Sequence, residues 1–176
     1  MYGNRGVSKG KWYWEAKFIS YNNHGQGDSP GMGMGFVADE IKRGTGGYMG
    51  QTASSYNFQD AGDVYNNNAT STYSSGATAL NVVNDVGGIA LDLDNNKAYF
   101  HVNGTWWNSA DPSSGTGGLS INAASSTTLG FYFPGVSDRS TWRSYVYSYN
   151  FGNGKFGATT VSSAGTSSTG DDSVWE

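Results

Sequence analysis

The chain of 176 residues has the length of one domain, with 27 glycines, only 14% charged residues and a formal net charge of −4. The absence of cysteine excludes thiolate catalysis, disulfide scaffolds and cysteine-ligated zinc, and ten Lys and Arg residues are too few for a general phosphate-binding face. The two histidines are far apart in the sequence, and no apolar run reaches the ~18 residues that a membrane span requires. Together with the charge, these features lead us to expect no metal, no cofactor, no nucleic acid and no membrane insertion. Because 15% of the residues are aromatic and aliphatic residues are scarce, we expect a core built mainly from aromatic rings.

Residues 11–19 alternate between apolar and polar side chains. In an extended chain Trp14 and Phe18 lie on one face, and Glu15 and Lys17 lie on the other. This pattern predicts a half-buried β-strand.

Residues 31–38 show the same alternation, but Gly33 and Gly35 separate the apolar side chains. Glycine weakens a strand and lets another backbone or a bulky ring approach closely. We expect a second strand here that packs against an aromatic side chain rather than a platform for a ligand.

A hairpin is predicted between residues 88 and 105. Residues 89–93 alternate, residues 94–97 have turn composition, and residues 98–102 return the chain. Asn103-Gly104 is the preferred dipeptide of a type I′ turn.

Two further alternating segments, residues 129–133 and 145–151, are also predicted strands. Short strands with frequent turns favour an all-β, antiparallel sandwich or barrel. We expect one domain over residues 1–158 and a Ser/Thr/Gly-rich tail or linker over residues 159–176. Long polar loops separate the strands, and loops of this length are usually functional or held by a partner. The predicted loops are residues 20–30, 60–77, 108–118 and 137–144.

Four motifs, in the same order, resemble those of the SPRY domain family. They are Gly-Lys-Trp-Tyr-Trp-Glu at 10–15, the hairpin of residues 85–104 with its Asn-Gly turn, Phe-Pro-Gly-Val-Ser at 133–137, and Asn-Phe-Gly at 150–152. The resemblance implies a concanavalin-like sandwich of two antiparallel sheets. It also implies a binding module without catalytic residues, which recognises partners through loops at one end.

Residues 104–112 and 156–165 look like SPRY-like domains of bacteriophage and environmental sequences. In that group the domain lies among virion or tail-associated proteins, and the chain continues beyond the Ser/Gly segment. The resemblance therefore implies a portion of a longer protein, located on a virion or particle surface, with the cytoplasm as the alternative.

The sequence Asp92-x-Asp94-x-Asn96 has the start of a calcium-binding loop. Lys97 stands where an EF-hand requires glycine, and Asn103 stands where it requires glutamate. We interpret the segment as a turn whose Asp and Asn side chains cap their own backbone.

A glycan-cleaving enzyme needs two carboxylates that flank the scissile bond. Before the C-terminal residue the glutamates are Glu15 and Glu40, neither with an acidic neighbour two positions away. Asp92 and Asp94 have the spacing but run into a turn, so the sequence disfavours a carbohydrate-active enzyme.

Aromatic and amide side chains in the loops are the candidate ligand contacts. Trp106 and Trp107 follow the Asn-Gly turn, so one indole can enter the core while the other meets a ligand. The alternative is that these aromatics close the ends of the sandwich. The candidate binding residues are Tyr21, Asn23, Trp107, Asn108, Asp111, Arg139, Trp142 and Tyr145.

The sequence thus predicts a non-catalytic recognition module of a phage or phage-like structural protein, which binds a host-surface glycan or protein through its end loops. One alternative is a subunit that decorates or assembles a capsid, tail or filament, with neighbouring virion subunits or its own copies as partners. An endogenous protein–protein adaptor is a further alternative.

Overall fold

A computed structural model describes residues 5–22, 32–38, 47–59, 62–138, 144–151 and 156. Within them the chain forms β-strands and two short 3-10 helices, Trp107–Ser109 and Ala124–Ser126. No helix in this part of the chain has the length and apolar character needed to cross a membrane. The strands are β1 (Lys11–Asn22), β2 (Met32–Val37), β3 (Ser55–Gln59), β4 (Asp63–Asn66), β5 (Ala69–Thr72), β6 (Val86–Asp92), β7 (Lys97–Val102), β8 (Thr105–Trp106), β9 (Leu119–Ser120), β10 (Phe133–Asp138) and β11 (Ser144–Asn150).

The strands form two antiparallel sheets. The six-stranded sheet has the order β11-β1-β6-β7-β8, with β9 also paired to β7, and the five-stranded sheet has the order β10-β2-β3-β4-β5. The predicted antiparallel sandwich is confirmed.

Aromatic rings fill the space between the sheets. Phe58 of β3 stacks on Phe100 of β7 with ring centroids 5.0 Å apart, and Trp14 of β1 meets Phe36 of β2 edge-on at 6.4 Å. All four side chains are buried. Each such ring pair stabilises the fold by about 0.5–1.5 kcal/mol beyond the burial of its area. The expectation of an aromatic core is confirmed.

A β-bulge extends the first strand beyond its predicted end. Phe18 pairs with Tyr147, but Ser20 pairs with Val146, so Ile19 is the extra residue. The bulge returns Tyr21 to the face of Phe18, and their ring centroids lie 5.8 Å apart.

The prediction of a loop over residues 60–77 is wrong, because this segment holds the β4–β5 hairpin. Asn67 and Asn68 connect the strands with φ values of 51° and 60°, which a type I′ turn requires. Pairing of β4 with β3 and of β5 with β4, rather than apolar alternation, defines these strands.

The strand predicted over residues 129–133 lies further along the chain. The strand begins at Phe133 and runs to Asp138, while Leu129 and Phe131 are exposed. Pro134 fits this position because, among the described strands, β10 is the first of its sheet, and a missing N–H costs little at a sheet edge.

The central hairpin agrees with the sequence analysis. Asn103 and Gly104 have φ values of 50° and 81°, as the predicted type I′ turn requires. The Asp92 carboxylate accepts hydrogen bonds from the backbone and side-chain amides of Asn95 at 3.0 and 2.9 Å. The interpretation of this turn as self-capping is therefore confirmed. Among the described residues no group of three potential metal ligands exists.

Gly33 and Gly35 permit close packing, as expected, but their neighbour is not an aromatic ring. A Cβ at Gly35 would overlap the carbonyl oxygen of Tyr56, and a Cβ at Gly33 would overlap the side-chain amide of Asn57. The constraint at Gly35 is therefore a backbone contact, which cannot move aside as a side chain can.

We expect Gly35→Ala to lower the free energy of unfolding by about 3 kcal/mol, because relieving the overlap requires β2 to move away from β3. Gly76→Asn is the control, since Gly76 has open space around it and a φ of 70°, which Asn tolerates. Urea unfolding followed by fluorescence measures both variants. Equal stability of the two variants would contradict this account of Gly35.

Candidate functional site

Two of the residues predicted to bind a ligand meet at one end of the six-stranded sheet. Tyr21 and Tyr145 pair across β1 and β11, and their rings stack with centroids 6.4 Å apart. One pair further along, Asn22 faces Ser144. The chain leaves β1 and enters β11 at these neighbouring positions, so both predicted end loops connect to the sheet here.

Exposed apolar side chains surround this end of β1. Val146 lies across from Ser20, beside the bulged Ile19. On the other side of β1, the backbone of Phe18 exchanges hydrogen bonds with Asn84 and Asp85 at 2.8 and 2.9 Å. We call the exposed set the apolar corner; it consists of Ile19 (39% exposed), Tyr21 (41%), Val82 (61%), Val83 (42%) and Val146 (53%).

Asp85 holds the turn that presents Val82 and Val83. One carboxylate oxygen accepts the Val82 N–H at 2.8 Å, and the other accepts the Asn103 side-chain amide at 2.8 Å. The backbone N–H of Asp85 donates back to the Val82 carbonyl at 2.9 Å. A fixed turn with two outward valines is thus tied to the hairpin whose sequence resembles the SPRY motif.

The structure removes Trp107 from the candidate binding residues. Its side chain is 2% exposed, its ring lies 4.4 Å from Phe100, and its indole N–H donates to the Thr78 carbonyl at 3.0 Å. Trp106 is the partly exposed indole of the pair. Adjacent residues face opposite ways, as the sequence analysis states, but the inward ring is Trp107.

Asn108 and Asp111 are exposed but lie away from the apolar corner. They follow β8, which is at the opposite end of the strand order from β11, whereas Tyr21 lies on the β1–β11 side. The Asn108 side chain donates to the Gly117 carbonyl at 3.1 Å, and Asp111 accepts the hydroxyl and N–H of Ser113. Through these contacts both side chains stabilise the loop in which they lie.

The remaining three predicted binding residues lie outside the described residues. They are Asn23, Arg139 and Trp142.

A second feature, on the outer face of the six-stranded sheet, was not among the predicted sites. Cross-strand pairing aligns Asn150, Glu15, Gly88, His101 and Trp106 in one row over five strands. Paired residues in antiparallel strands share a face, so the side chains of this row point to the same side of the sheet. A Cβ at Gly88 would overlap the imidazole of His101, so the ring lies across the glycine.

Hydrogen bonds connect the row through Tyr13. The Gly104 N–H donates to His101 Nδ1 at 3.1 Å, which assigns the imidazole proton to Nε2. His101 Nε2 then donates to the Tyr13 hydroxyl at 2.7 Å. The hydroxyl donates to Glu15 Oε1 at 2.7 Å, and the Asn150 side chain donates to Glu15 Oε2 at 2.8 Å.

An open cavity of about 500 Å³ lies over this network. Tyr13 and Trp106 form walls, with ring centroids 6.5 Å apart and planes inclined at 59°, and the buried His101 lies edge-on to Trp106 at 4.7 Å. We call this cavity the sheet groove. Its lining residues are Tyr13, Glu15, Val86, His101, Asn103, Gly104, Trp106 and Phe156.

Burial favours the uncharged form of two groups in the groove, His101 and Tyr13. Desolvation lowers the pKa of His101 to about 4, although the nearby Glu15 charge opposes the shift. Desolvation, together with the hydrogen bond and charge of Glu15, raises the pKa of Tyr13 far above its usual value. Both groups are uncharged at pH 7, and neither pKa lies where a general acid or base works best.

The groove shows what sequence reasoning missed. Alternation places Tyr13 and Glu15 on one face of β1, and that signal was available in the sequence. His101 is 88 positions from Tyr13, and only the register of β1, β6 and β7 brings the two together.

We expect the free energy of unfolding to fall as the pH decreases from 6.5 to 4, because the unfolded state binds a proton at His101 first. The difference between a pKa of 6.5 and about 4 corresponds to about 3 kcal/mol. Comparing unfolding at each pH in wild type and His101→Gln isolates this contribution, with His24→Gln as the matched control. A wild-type pH dependence retained in His101→Gln would contradict the assignment.

Comparison with known proteins agrees with this architecture. The sequence matches no protein-family model and no curated protein. Among solved structures, the chain is similar to the crystal structure of the SPRY domain of human HERC1, with a TM-score of 0.58 and 13% sequence identity. The match covers 84% of this chain and 79% of that chain, and it concerns the fold alone. The chain therefore has a SPRY-like, concanavalin-like β-sandwich fold, as its motifs predict.

Proposed function

We propose that the chain is a non-catalytic recognition module that binds a protein partner through the apolar corner. The observation that carries the proposal is the exposure of five large apolar side chains around one end of the six-stranded sheet. Contiguous exposed apolar surface, where a fold presents it, marks interaction sites. A SPRY-like fold is consistent with an interaction module.

The chemistry of the apolar corner favours a protein over a glycan. Four of its five side chains are valine or isoleucine, which offer no hydrogen bond to a sugar hydroxyl. Tyr21 is the one member with a hydroxyl and an aromatic face. A host-surface protein is thus the preferred ligand, and a host-surface glycan is the alternative.

The proposed context is a phage or phage-like particle, with the domain displayed on its surface. The sequence likeness of residues 104–112 and 156–165 to phage and environmental SPRY-like domains supports this context.

To test recognition, the labelled domain is titrated onto a panel of bacterial cells and onto a glycan array. We expect saturable binding to a subset of cells, with an at least ~10-fold weaker affinity for the double variant Val82→Ser/Val83→Ser, because the variant removes apolar contact area. Leu129→Ser/Phe131→Ser is the matched control, since it removes two exposed apolar side chains elsewhere.

Protease treatment of the cells abolishes binding if the receptor is a protein, whereas periodate treatment abolishes it if the receptor is a glycan. No saturable binding at tens of micromolar, or an equal loss in both double variants, would overturn recognition through the apolar corner.

A specific observation supports assembly as the second candidate function. Strand β5 is the last strand of its sheet within the described residues, and all four of its residues are exposed and uncharged. Natural edge strands usually carry lysine, proline or a bulge that prevents pairing with another chain.

If the domain assembles through β5, sedimentation should show concentration-dependent association, and Ser71→Lys should remove it by introducing a charge at the edge. Thr128→Lys, at an exposed position outside the strands, is the control. A monomer at every concentration would exclude this route to assembly.

A further inference from the structure

We propose that the sheet groove binds an alkylammonium group, presented either by a lysine side chain or by a small quaternary ammonium compound. This site is separate from the apolar corner, because none of the residues that line the groove belongs to the apolar corner. The proposal therefore does not depend on the function proposed above.

The first support is the set of groups that contact the Glu15 carboxylate. Its carboxylate accepts hydrogen bonds from two neutral donors, Tyr13 and Asn150, at 2.7 and 2.8 Å. Among the described residues Glu15 forms no ion pair. A half-buried carboxylate without a counter-ion attracts a cation, because a low-dielectric wall screens its charge poorly.

Among the described residues, the charged groups near Glu15 do not neutralise it. Lys11 lies on the same face of β1 but contacts Asp92 at 3.5 Å. Lys17 is the next outward residue of β1, and no ion pair joins it to Glu15. His101 faces the carboxylate through Tyr13 and is uncharged at pH 7. The charge of the lining is thus negative.

The second support is the arrangement of the rings. The Tyr13 and Trp106 rings are inclined to each other, and the His101 ring lies beside both, with ring centroids 5.9 Å from Tyr13 and 4.7 Å from Trp106. Aromatic faces attract cations, with indole the strongest, and inclined rings around one space are the arrangement that recognises alkylated ammonium groups. A cavity of about 500 Å³ has room for such a group and the chain that carries it.

The hydrogen-bonding capacity of the groove argues against a neutral sugar. The Asn103 side chain already accepts the Val86 N–H at 2.9 Å and donates to Asp85 at 2.8 Å. Both nitrogens of His101 are engaged, by Gly104 and Tyr13. The polar groups therefore bond mainly to one another, and what the groove offers a ligand is negative charge and aromatic faces.

The test is an NMR titration of the full chain, which follows the Trp106 indole N–H resonance. The probes are choline, Nα-acetyl-lysine methylamide and 3,3-dimethyl-1-butanol, the last an uncharged analogue of choline. We expect saturable shifts with one or both cations at millimolar concentration, and none with the uncharged analogue. A stronger response to the lysine derivative points to a polypeptide source, and a stronger response to choline points to a small quaternary ammonium compound.

Variants separate the contributions of charge and rings. Trp106→Leu should weaken cation binding about 10-fold, because it removes a partly desolvated cation–π contact. Binding to this variant is followed through the NMR resonances of the other residues that line the groove. Glu15→Gln should weaken binding at least as much, whereas Asp63→Asn on the other sheet should leave it unchanged. Lys17→Met should strengthen binding, because it removes a nearby like charge.

The role of the Glu15 charge can also be tested on the wild-type protein, so that the test does not require Glu15→Gln to fold. Raising the NaCl concentration on the wild-type protein should weaken binding of the cations, because salt screens the Glu15 charge. Absence of saturable shifts, an equal response to the uncharged analogue, or binding that is insensitive to both salt and Glu15→Gln would overturn the proposal.

Discussion

The packing of aromatic rings between the two sheets is the constraint on which the other features depend. Phe58 against Phe100 and Trp14 against Phe36 join the sheets across the core. Because these rings fix the inner face of β1 and β7, the alternate residues Tyr13, Glu15 and His101 must lie on the outer face. The sheet groove is therefore a consequence of how the core is filled.

Small residues determine how closely neighbouring strands and side chains approach. Gly35 allows the backbone of β3 to lie against β2, and Gly88 leaves the space that the His101 imidazole occupies. A glycine-rich composition in this chain thus reflects packing as well as turns. Because Gly88 has no side chain, the His101 imidazole can lie buried across it and still reach the Tyr13 hydroxyl.

The apolar corner and the sheet groove differ in chemistry although both belong to the six-stranded sheet. The apolar corner combines a β-bulge at Ile19 with a turn that Asp85 holds in place, and it offers aliphatic surface. The sheet groove offers one carboxylate and aromatic faces. Val86 follows the Val82–Asp85 turn in the chain and also lines the groove, so the two sites are neighbours along the sequence.

The sequence by itself determined the fold class, the aromatic core, the first strand and the central hairpin, because alternation and turn chemistry are local signals. It also placed Tyr21 and Tyr145 among the binding candidates, and the structure brings these two together. Only the tertiary structure decided that Trp107 is buried and Trp106 lines the groove, since alternation shows that two neighbours face apart but not which one faces inward. The β4–β5 hairpin and the contact between His101 and Tyr13 likewise depend on pairing with distant strands, and the pairing register is set by the whole core rather than by any local pattern.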